Sequence, residues 1–302
     1  MTMNRLIIFS SVFNLLIAET EFPGLDAFTS SARLAMGGAG YLNYSSVSSK
    51  YNPSITGNGR HFSSSFIRYQ TGITSQSAGI SFPWKNGVSS MAVRHISYGT
   101  FEGYDTDLQS TGAYRAGDNF LSVTHSIKMN RMPVKIGVLG QYFSSMLQDY
   151  TINAILFSLG GELLLENING SIGLSIHNVG TTLNGSQDAK GVIVPKIVLS
   201  GSKQLSHLPL TLFIDLVTKS KFEETEMYFG GQFKLKSNLQ LRLGTSTRKI
   251  DHNTEQDLLR SILGATGFGI GYAFGSTEIH YGTFIMGTGS LIHGLEIGVM
   301  IE

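Results

Sequence analysis

From about residue 61 to the C-terminus the chain alternates apolar and polar positions with a period of two, the pattern of strands whose two faces meet different surroundings. Leu210, Leu212, Ile214 and Leu216 share one face of such a segment, and Thr211, Phe213, Asp215 and Val217 share the other. Met227, Phe229, Phe233 and Leu235 likewise alternate with Tyr228, Gln232, Lys234 and Lys236. Phe268, Ile270, Tyr272 and Phe274 stand opposite Gly267, Gly269, Gly271 and Ala273, so small residues occupy the second face there. The pattern predicts fourteen strands, near 61–70, 75–85, 88–101, 118–129, 133–147, 153–166, 171–180, 196–205, 208–217, 226–236, 239–248, 261–275, 277–287 and 292–301. Most are close to the ~9 to 11 residues that a tilted transmembrane strand needs.

The connections differ in length at the two ends of these strands. Tight turns such as Lys85-Asn86-Gly87, Ser237-Asn238 and Gly275-Ser276 follow the even strands, and longer polar links at 102–117, 181–195 and 249–260 follow odd ones. Short periplasmic turns and longer outer loops are the mark of an outer-membrane barrel, and an even strand count lets it close with both ends on the periplasmic side. The fold class expected is therefore all-β, a transmembrane antiparallel β-barrel of about 14 strands. A soluble β-sandwich shows the same alternation, because a protein core selects apolar side chains as lipid does. Trp84, Tyr142, Tyr228 and Tyr272 are candidates for the aromatic girdles at the membrane surfaces.

Composition separates these possibilities. Hydrophobic residues are 41% of the 302, charged residues 14%, and 36 glycines stand against 6 prolines. Past the N-terminus no apolar run approaches the ~18 to 20 residues of a membrane-spanning helix, which excludes a helical bundle. The formal net charge of +1 gives no basic field for nucleic acid. With no cysteine, disulfide frameworks, thiolate zinc sites and thiol nucleophiles are excluded together. At the N-terminus Arg5 precedes the apolar stretch Leu6 to Ala18, which reads as an export signal over 1–18 cleaved after Ala18.

Residues 19–60 do not alternate. The run Ser30-Ser31-Ala32-Arg33-Leu34-Ala35-Met36-Gly37-Gly38-Ala39-Gly40 is rich in small residues, and a serine-rich stretch leads to Tyr51-Asn52-Pro53-Ser54. Such a segment is a poor lipid-facing strand, whereas small residues permit close backbone approach, so 19–60 is expected to form a plug inside the barrel of 61–302. Inward polar residues His177, Asp215, Lys234, Arg242 and Glu296, with Arg33, Asn52 and Pro53 of the plug, are the candidate lumen residues. Arg33 is expected to pair with an inward carboxylate, since a charge confined there needs a partner.

Catalytic chemistry has no foothold in the pattern. The eight histidines are scattered without metal-ligand spacing. Ser246-Thr247-Arg248-Lys249 has the S-x-x-K form but lacks the companion motif of penicillin-binding enzymes. The cluster Gly267-Phe268-Gly269-Ile270-Gly271 is not followed by the helix a phosphate cradle requires. A non-enzyme without a cofactor is expected.

The run from Ser31-Ala32-Arg33 to Gly37-Gly38-Ala39-Gly40 with Asn52-Pro53, the segment Tyr98-Gly99-Thr100-Phe101-Glu102 to Asp105, and Gly271-Tyr272-Ala273-Phe274 resemble the PorV/PorQ family of outer-membrane barrels of type IX secretion. Asn178-Val179-Gly180-Thr181-Thr182-Leu183 and the segment from Ser202 to Pro209 tilt the resemblance toward the PorQ branch. Where the family commonly carries acidic residues before an Asn-Pro-Ala, this chain has Asn43-Tyr44-Ser45-Ser46 and Asn52-Pro53-Ser54. The resemblance implies a bacterial outer-membrane barrel related in fold to the FadL channels, working as a non-catalytic scaffold or substrate-handling component of secretion. Its partners would be outer-membrane lipid and secretion-system proteins or secreted cargo. The alternative is a FadL-type channel for hydrophobic small molecules. A channel should show an apolar pocket leading inward from the outer loops, and a scaffold a filled lumen.

Overall fold

A computed structural model describes residues 22–301 apart from 48–49, 58, 106, 108, 149, 185–192, 220–224, 236–237, 252–262 and 287–288. The expected export signal lies outside the described residues. Fourteen antiparallel strands form one closed barrel in which each strand pairs with its neighbours in sequence and β1 (Arg60–Arg68) pairs with β14 (Leu291–Ile301). Between them run β2 (Thr74–Trp84), β3 (Gly87–Tyr104), β4 (Ser110–Lys128), β5 (Val134–Leu147), β6 (Tyr150–Leu165), β7 (Gly170–Asn184) and β8 (Lys196–Gln204). The circuit continues through β9 (Leu210–Lys219), β10 (Thr225–Lys234), β11 (Leu239–Ser246), β12 (Thr266–Phe274) and β13 (Thr277–Ile285). Closure leaves no free sheet edge, so every strand finds partners for its backbone groups where no water is present to supply them.

Alternation sorts the side chains as the pattern demands. Val93, Leu121, Leu159, Leu174, Ile214 and Leu243 point outward, and each is about half exposed. An apolar exterior running round a closed cylinder is what lipid requires and what water disfavours. The inner wall is polar and small: Ser63, Ser65, Ser77, Ser81 and Ser90 are buried there, as are Gly244, Gly267 and Gly294. Trp84, Tyr142 and Tyr272 face outward, consistent with girdle positions, whereas Tyr228 is buried on the inner face and packs against the interior.

Several boundaries differ from the expected ones. The link 102–117 is mostly strand, because β3 runs on to Tyr104 and β4 begins at Ser110, with Phe101 and Tyr114 paired across the two strands and stacked at 5.6 Å. Polar residues such as Glu102 and Arg115 disguise this extension, since strand pairing above the lipid needs no greasy face. β6 starts earlier, at Tyr150, and β7 continues to Asn184. β12 starts later than expected, at Thr266, because Gly264 and Ala265 turn the chain and Ala265 has a φ of 52°.

Among the described residues pairing slips at four places, and two of these slips shape the lumen wall. The pairing of β3 with β4 slips between Ser97 and Gly99, where Gly99 takes a φ of 102°. The extra residue switches the faces beyond it, so Phe101 points inward where strict alternation from Arg94 and Ile96 would select Thr100. A second slip, between β6 and β7, sets Ser158 against His177 and Asn178, with Asn178 at a φ of 58°.

The described residues of 22–57 fill the lumen. A short helix, α1 (Ser31–Ala35), lies against β12, β13 and β14, and is wholly buried. The wall accepts it through glycine. A Cβ on Gly267 would overlap the Leu34 carbonyl, one on Gly282 the Ser31 carbonyl, and one on Gly244 the Met36 carbonyl. On the opposite wall Gly137 meets the Pro53 carbonyl and Gly160 meets Asn52, again with no room for a side chain. Gly140 provides the contrast, as it faces outward and a Cβ there would meet only Phe157, at 3.8 Å.

Gly244→Val is accordingly expected to lower stability by about 1–3 kcal/mol, the usual cost of overpacking, and to expose the 31–57 segment to protease, with Gly140→Ala close to neutral. Guanidinium unfolding in detergent micelles with limited proteolysis would check this, and equal stability of the two variants would contradict it.

Candidate functional site: the plugged lumen and its outer basin

Three spaces of different character lie along the interior among the described residues. The short-turn end is the periplasmic end by the connection rule, and the opposite end carries a basin of about 690 Å³. Its lining comes from β3 to β6, with Tyr98, Phe101, Tyr114, Ala116, Met146 and Ile152 among them, and from Phe22 and Pro23 at the start of the plug. The bulge at Tyr98 and Gly99 is what turns Phe101 into it. Beneath the basin Phe22 sits in a buried cluster with Leu25, Ile96, Phe120, Phe143, Ala154 and Leu156. Phe143 touches Phe22 at 5.0 Å edge-on and Phe120 at 4.9 Å. The one acid at the basin floor, Asp118, accepts a 2.6 Å hydrogen bond from the Tyr98 hydroxyl.

Deeper in lies a chamber of about 70 Å³ between plug and wall, lined by Arg33, Lys50, Arg94, Lys196, Lys219 and Arg248 together with Tyr41, Tyr51 and His177. Two carboxylates, Asp26 and Glu226, also line it. Asp26 is paired with Lys196, and Glu226 with Arg248 at 2.7 Å. Lys50 donates to the Ala27 carbonyl at 3.0 Å, and Arg94 donates to the same carbonyl at 3.2 Å while its guanidinium lies 3.7 Å from the centre of the Phe120 ring. Burial, and then the neighbouring guanidinium groups of Arg94 and Arg33, hold the Lys50 ammonium well below its ordinary pKa. Each adjacent cation disfavours a further positive charge in a space with little water to screen it.

Toward the periplasm a polar cavity of about 340 Å³ is lined by Lys234, Arg242, His280, Glu278, Glu296 and His61 among others. Arg242 donates through Nε to Gln232 at 3.0 Å and through Nη1 to His280 Nδ1 at 3.0 Å. A guanidinium can only donate, so Nδ1 accepts and the His280 proton sits on Nε2, which is 3.0 Å from Glu278.

The residues singled out from sequence therefore separate into groups. Arg33 and His177 line the inner chamber; Lys234, Arg242 and Glu296 line the periplasmic cavity. Asn52 and Pro53 sit against the far wall, where Asn52 Oδ1 accepts from the Ser54 amide at 3.0 Å and Asn52 Nδ2 donates to the Gly161 carbonyl at 3.4 Å. His177 is hydrogen-bonded to Ser175 at 2.7 Å.

Arg33 departs from the expected pairing. Among the described residues no carboxylate lies within ion-pair distance of it; its guanidinium is held between the rings of Tyr41 and Tyr51, at 4.1 and 3.6 Å, and donates to the Gly38 carbonyl. Burial alone would lower its pKa, but the two tyrosines and Asp215 outweigh that and raise it. The inward carboxylates are taken by other plug groups. Glu296 accepts from the Ser30 hydroxyl at 2.7 Å, and Asp215 accepts from the backbone amides of Gly40 at 2.6 Å and Tyr41 at 3.4 Å. A plug whose turn exposes amide N–H groups satisfies a wall carboxylate without a cation, an option invisible in a list of charged residues.

Lys50, Arg94, Lys196 and Arg248 were not among the candidates. Lys50, Arg94 and Lys196 are single charges in their own segments and Arg248 adjoins only Lys249, so barrel closure is what brings the four together. The inward parity of Arg94, which shares a face with Ile96, and of Lys196, which shares one with Val198 and Ser200, is the usable signal.

A closed antiparallel barrel with an apolar exterior, a polar inner wall and an occupied lumen is a transmembrane β-barrel of the bacterial outer membrane. No protein-family model and no curated protein matches the chain. Among solved structures it is similar to the P. putida toluene transporter TodX, with a TM-score of 0.58 and 11% identity over 92% of this chain and 99% of that one. A TodX mutant described as a monoaromatic hydrocarbon channel is also similar, with a TM-score of 0.53 and 11% identity over 89% of this chain and 97% of that one.

Replacing Asp215 by alanine strands the buried Gly40 amide and the partly buried Tyr41 amide and is expected to cost about 1–3 kcal/mol, with Asp215→Asn losing less because an amide oxygen still accepts. Unfolding midpoints of the two variants in micelles would show this; an Asp215→Ala protein as stable as the parent would refute the anchoring role.

Proposed function

We propose that this protein is a non-catalytic outer-membrane channel that takes up small apolar molecules from the outer surface. The observation that carries the reading is the basin at the outer mouth, about 690 Å³ in volume and lined mainly by aromatic and aliphatic side chains. Small-molecule sites are concave and mostly apolar with few polar groups, and here the polar contribution is little more than the Tyr98 and Asp118 pair and Ser145. The floor of the basin is Phe22, which belongs to the plug and packs on the Phe143 ring, itself in contact with Phe120. Displacement of Phe22 to Leu25 would extend the apolar surface inward, so this segment is the gate in the proposal. Similarity in fold to a toluene transporter and a monoaromatic hydrocarbon channel supports the same reading.

The secretion role stands on the sequence resemblance to the PorV/PorQ family alone. A filled lumen suits a scaffold, yet it suits a gated channel equally, whereas the apolar basin favours the channel.

Proteoliposomes carrying the protein are expected to take up toluene faster than empty ones. Ala116→Glu, which places a carboxylate in the basin beside Asp118, should reduce uptake tenfold or more without preventing barrel assembly. Uptake no faster than in empty vesicles, or uptake unaffected by Ala116→Glu, would overturn the proposal. Consistent recovery of envelope secretion proteins with the native barrel in the same preparation that fails to transport would return the secretion reading to first place.

A further inference from the structure

The inner chamber holds more positive charge than its described walls neutralise. Of its cations, Lys196 and Arg248 have carboxylate partners in Asp26 and Glu226. Arg33, Lys50 and Arg94 instead meet neutral groups, namely the carbonyls of Gly38 and Ala27 and the faces of Tyr41, Tyr51 and Phe120. Two further acids, Asp215 and Asp118, lie outside the chamber lining, and the partners they accept from are neutral, the Gly40 and Tyr41 amides for Asp215 and the Tyr98 hydroxyl for Asp118. Carbonyl oxygens and ring faces carry only partial negative charge, so the Arg33 and Arg94 guanidinium groups repel each other and disfavour the charged form of Lys50, and an anion among the three would relieve both effects.

A second, independent observation points to a ligand. Arg33 is 4% exposed and lines the chamber, yet its Nη1 has no hydrogen-bond partner among the described residues. A buried guanidinium nitrogen without an acceptor is costly, and a donor in that position is satisfied best by an anion. The chamber, at about 70 Å³, is several times the ~10–15 Å³ that a single water requires, and far smaller than the outer basin. It has room for a small ion and not for a hydrocarbon.

We infer that the chamber is a binding site for one small tetrahedral oxyanion of the phosphate or sulfate class, held by Lys50, Arg94 and Arg33 between plug and wall. Lys50 and Arg33 belong to the plug and Arg94 to β3, so the ion joins the two by charge-assisted hydrogen bonds. It differs from the apolar ligand of the proposed channel in chemistry and in place. The Leu25 and Asp26 segment that lines the chamber is continuous with the Phe22 and Pro23 segment lining the basin, and the ion therefore anchors the segment adjoining the gate. A phosphate on a lipid would have to lead its acyl chains through the filled lumen, which selects the free ion.

The test is calorimetric titration of the full-length barrel in a non-ionic detergent with inorganic phosphate, then sulfate, at constant ionic strength set with chloride. Saturable binding at one site per chain is expected. Lys50→Met should weaken it at least tenfold and Lys50→Arg should retain it within threefold. Barrel assembly of each variant is verified by the faster gel mobility of the unheated protein; if Lys50→Met does not assemble, Arg94→Gln is read by the same tenfold criterion. No saturable binding of either ion, unchanged affinity in the neutral variant, or chloride binding as tightly as phosphate would overturn the assignment. Phospholipid retained by the parent and lost from Lys50→Met, with no response to free phosphate, would also overturn it in favour of a lipid headgroup. Apolar uptake is measured separately, so either proposal can fail alone.

Discussion

Backbone lies directly on backbone where the plug meets the wall, and the rest of the interior follows from that contact. The carbonyls of Ser31, Leu34 and Met36 rest on Gly282, Gly267 and Gly244, and the Pro53 carbonyl rests on Gly137. A fourteen-strand cylinder encloses more space than its own inward side chains fill. Where the plug lies on the wall many inward side chains are reduced further, to glycine or serine, so that a second layer of chain fits inside. The plug then completes apolar patches of the wall: Leu34 is fully buried with Ile67, Phe284 and Ile292, and Met36 and Ala39 with Val198, Phe213 and Val217.

Polar closure follows the same division of labour. Wall carboxylates hold the plug by its hydroxyls and amides, as Glu296 does through Ser30 and Asp215 through Gly40. The cations, relieved of that task, collect on the chamber side, where only some are matched by acid. The apolar outer basin and the charged inner chamber are thus two consequences of one segment, residues 22–28, lying across the lumen between them. In the proposed channel a molecule entering from outside would meet the apolar basin first and fixed positive charge second, an order suited to admitting apolar solutes.

The β-bulges have effects beyond local geometry. At Tyr98 and Gly99 an added residue brings Phe101 inward beside Tyr114, giving the basin its aromatic wall. At His177 and Asn178 the second one lets two consecutive residues line the chamber. Both lie in the outer half of the barrel, where the lining changes from small and polar to aromatic and charged.

Sequence alone determined the strand number, the order of pairing and the faces of most residues, because a period of two against lipid leaves little freedom in which way Leu212 or Leu243 can point. It also marked 30–40 and Asn52-Pro53 as segments unlike the strands. Only the tertiary structure decided which charges meet. Arg33, Lys50, Arg94, Lys196 and Arg248 come from five separate segments, and nothing local at any of them encodes the others. It alone decided as well that Arg33 lies between tyrosines while Asp215 binds an amide, since a buried charge takes whichever partner closure places within reach, and that placement is set by the whole ring of strands at once.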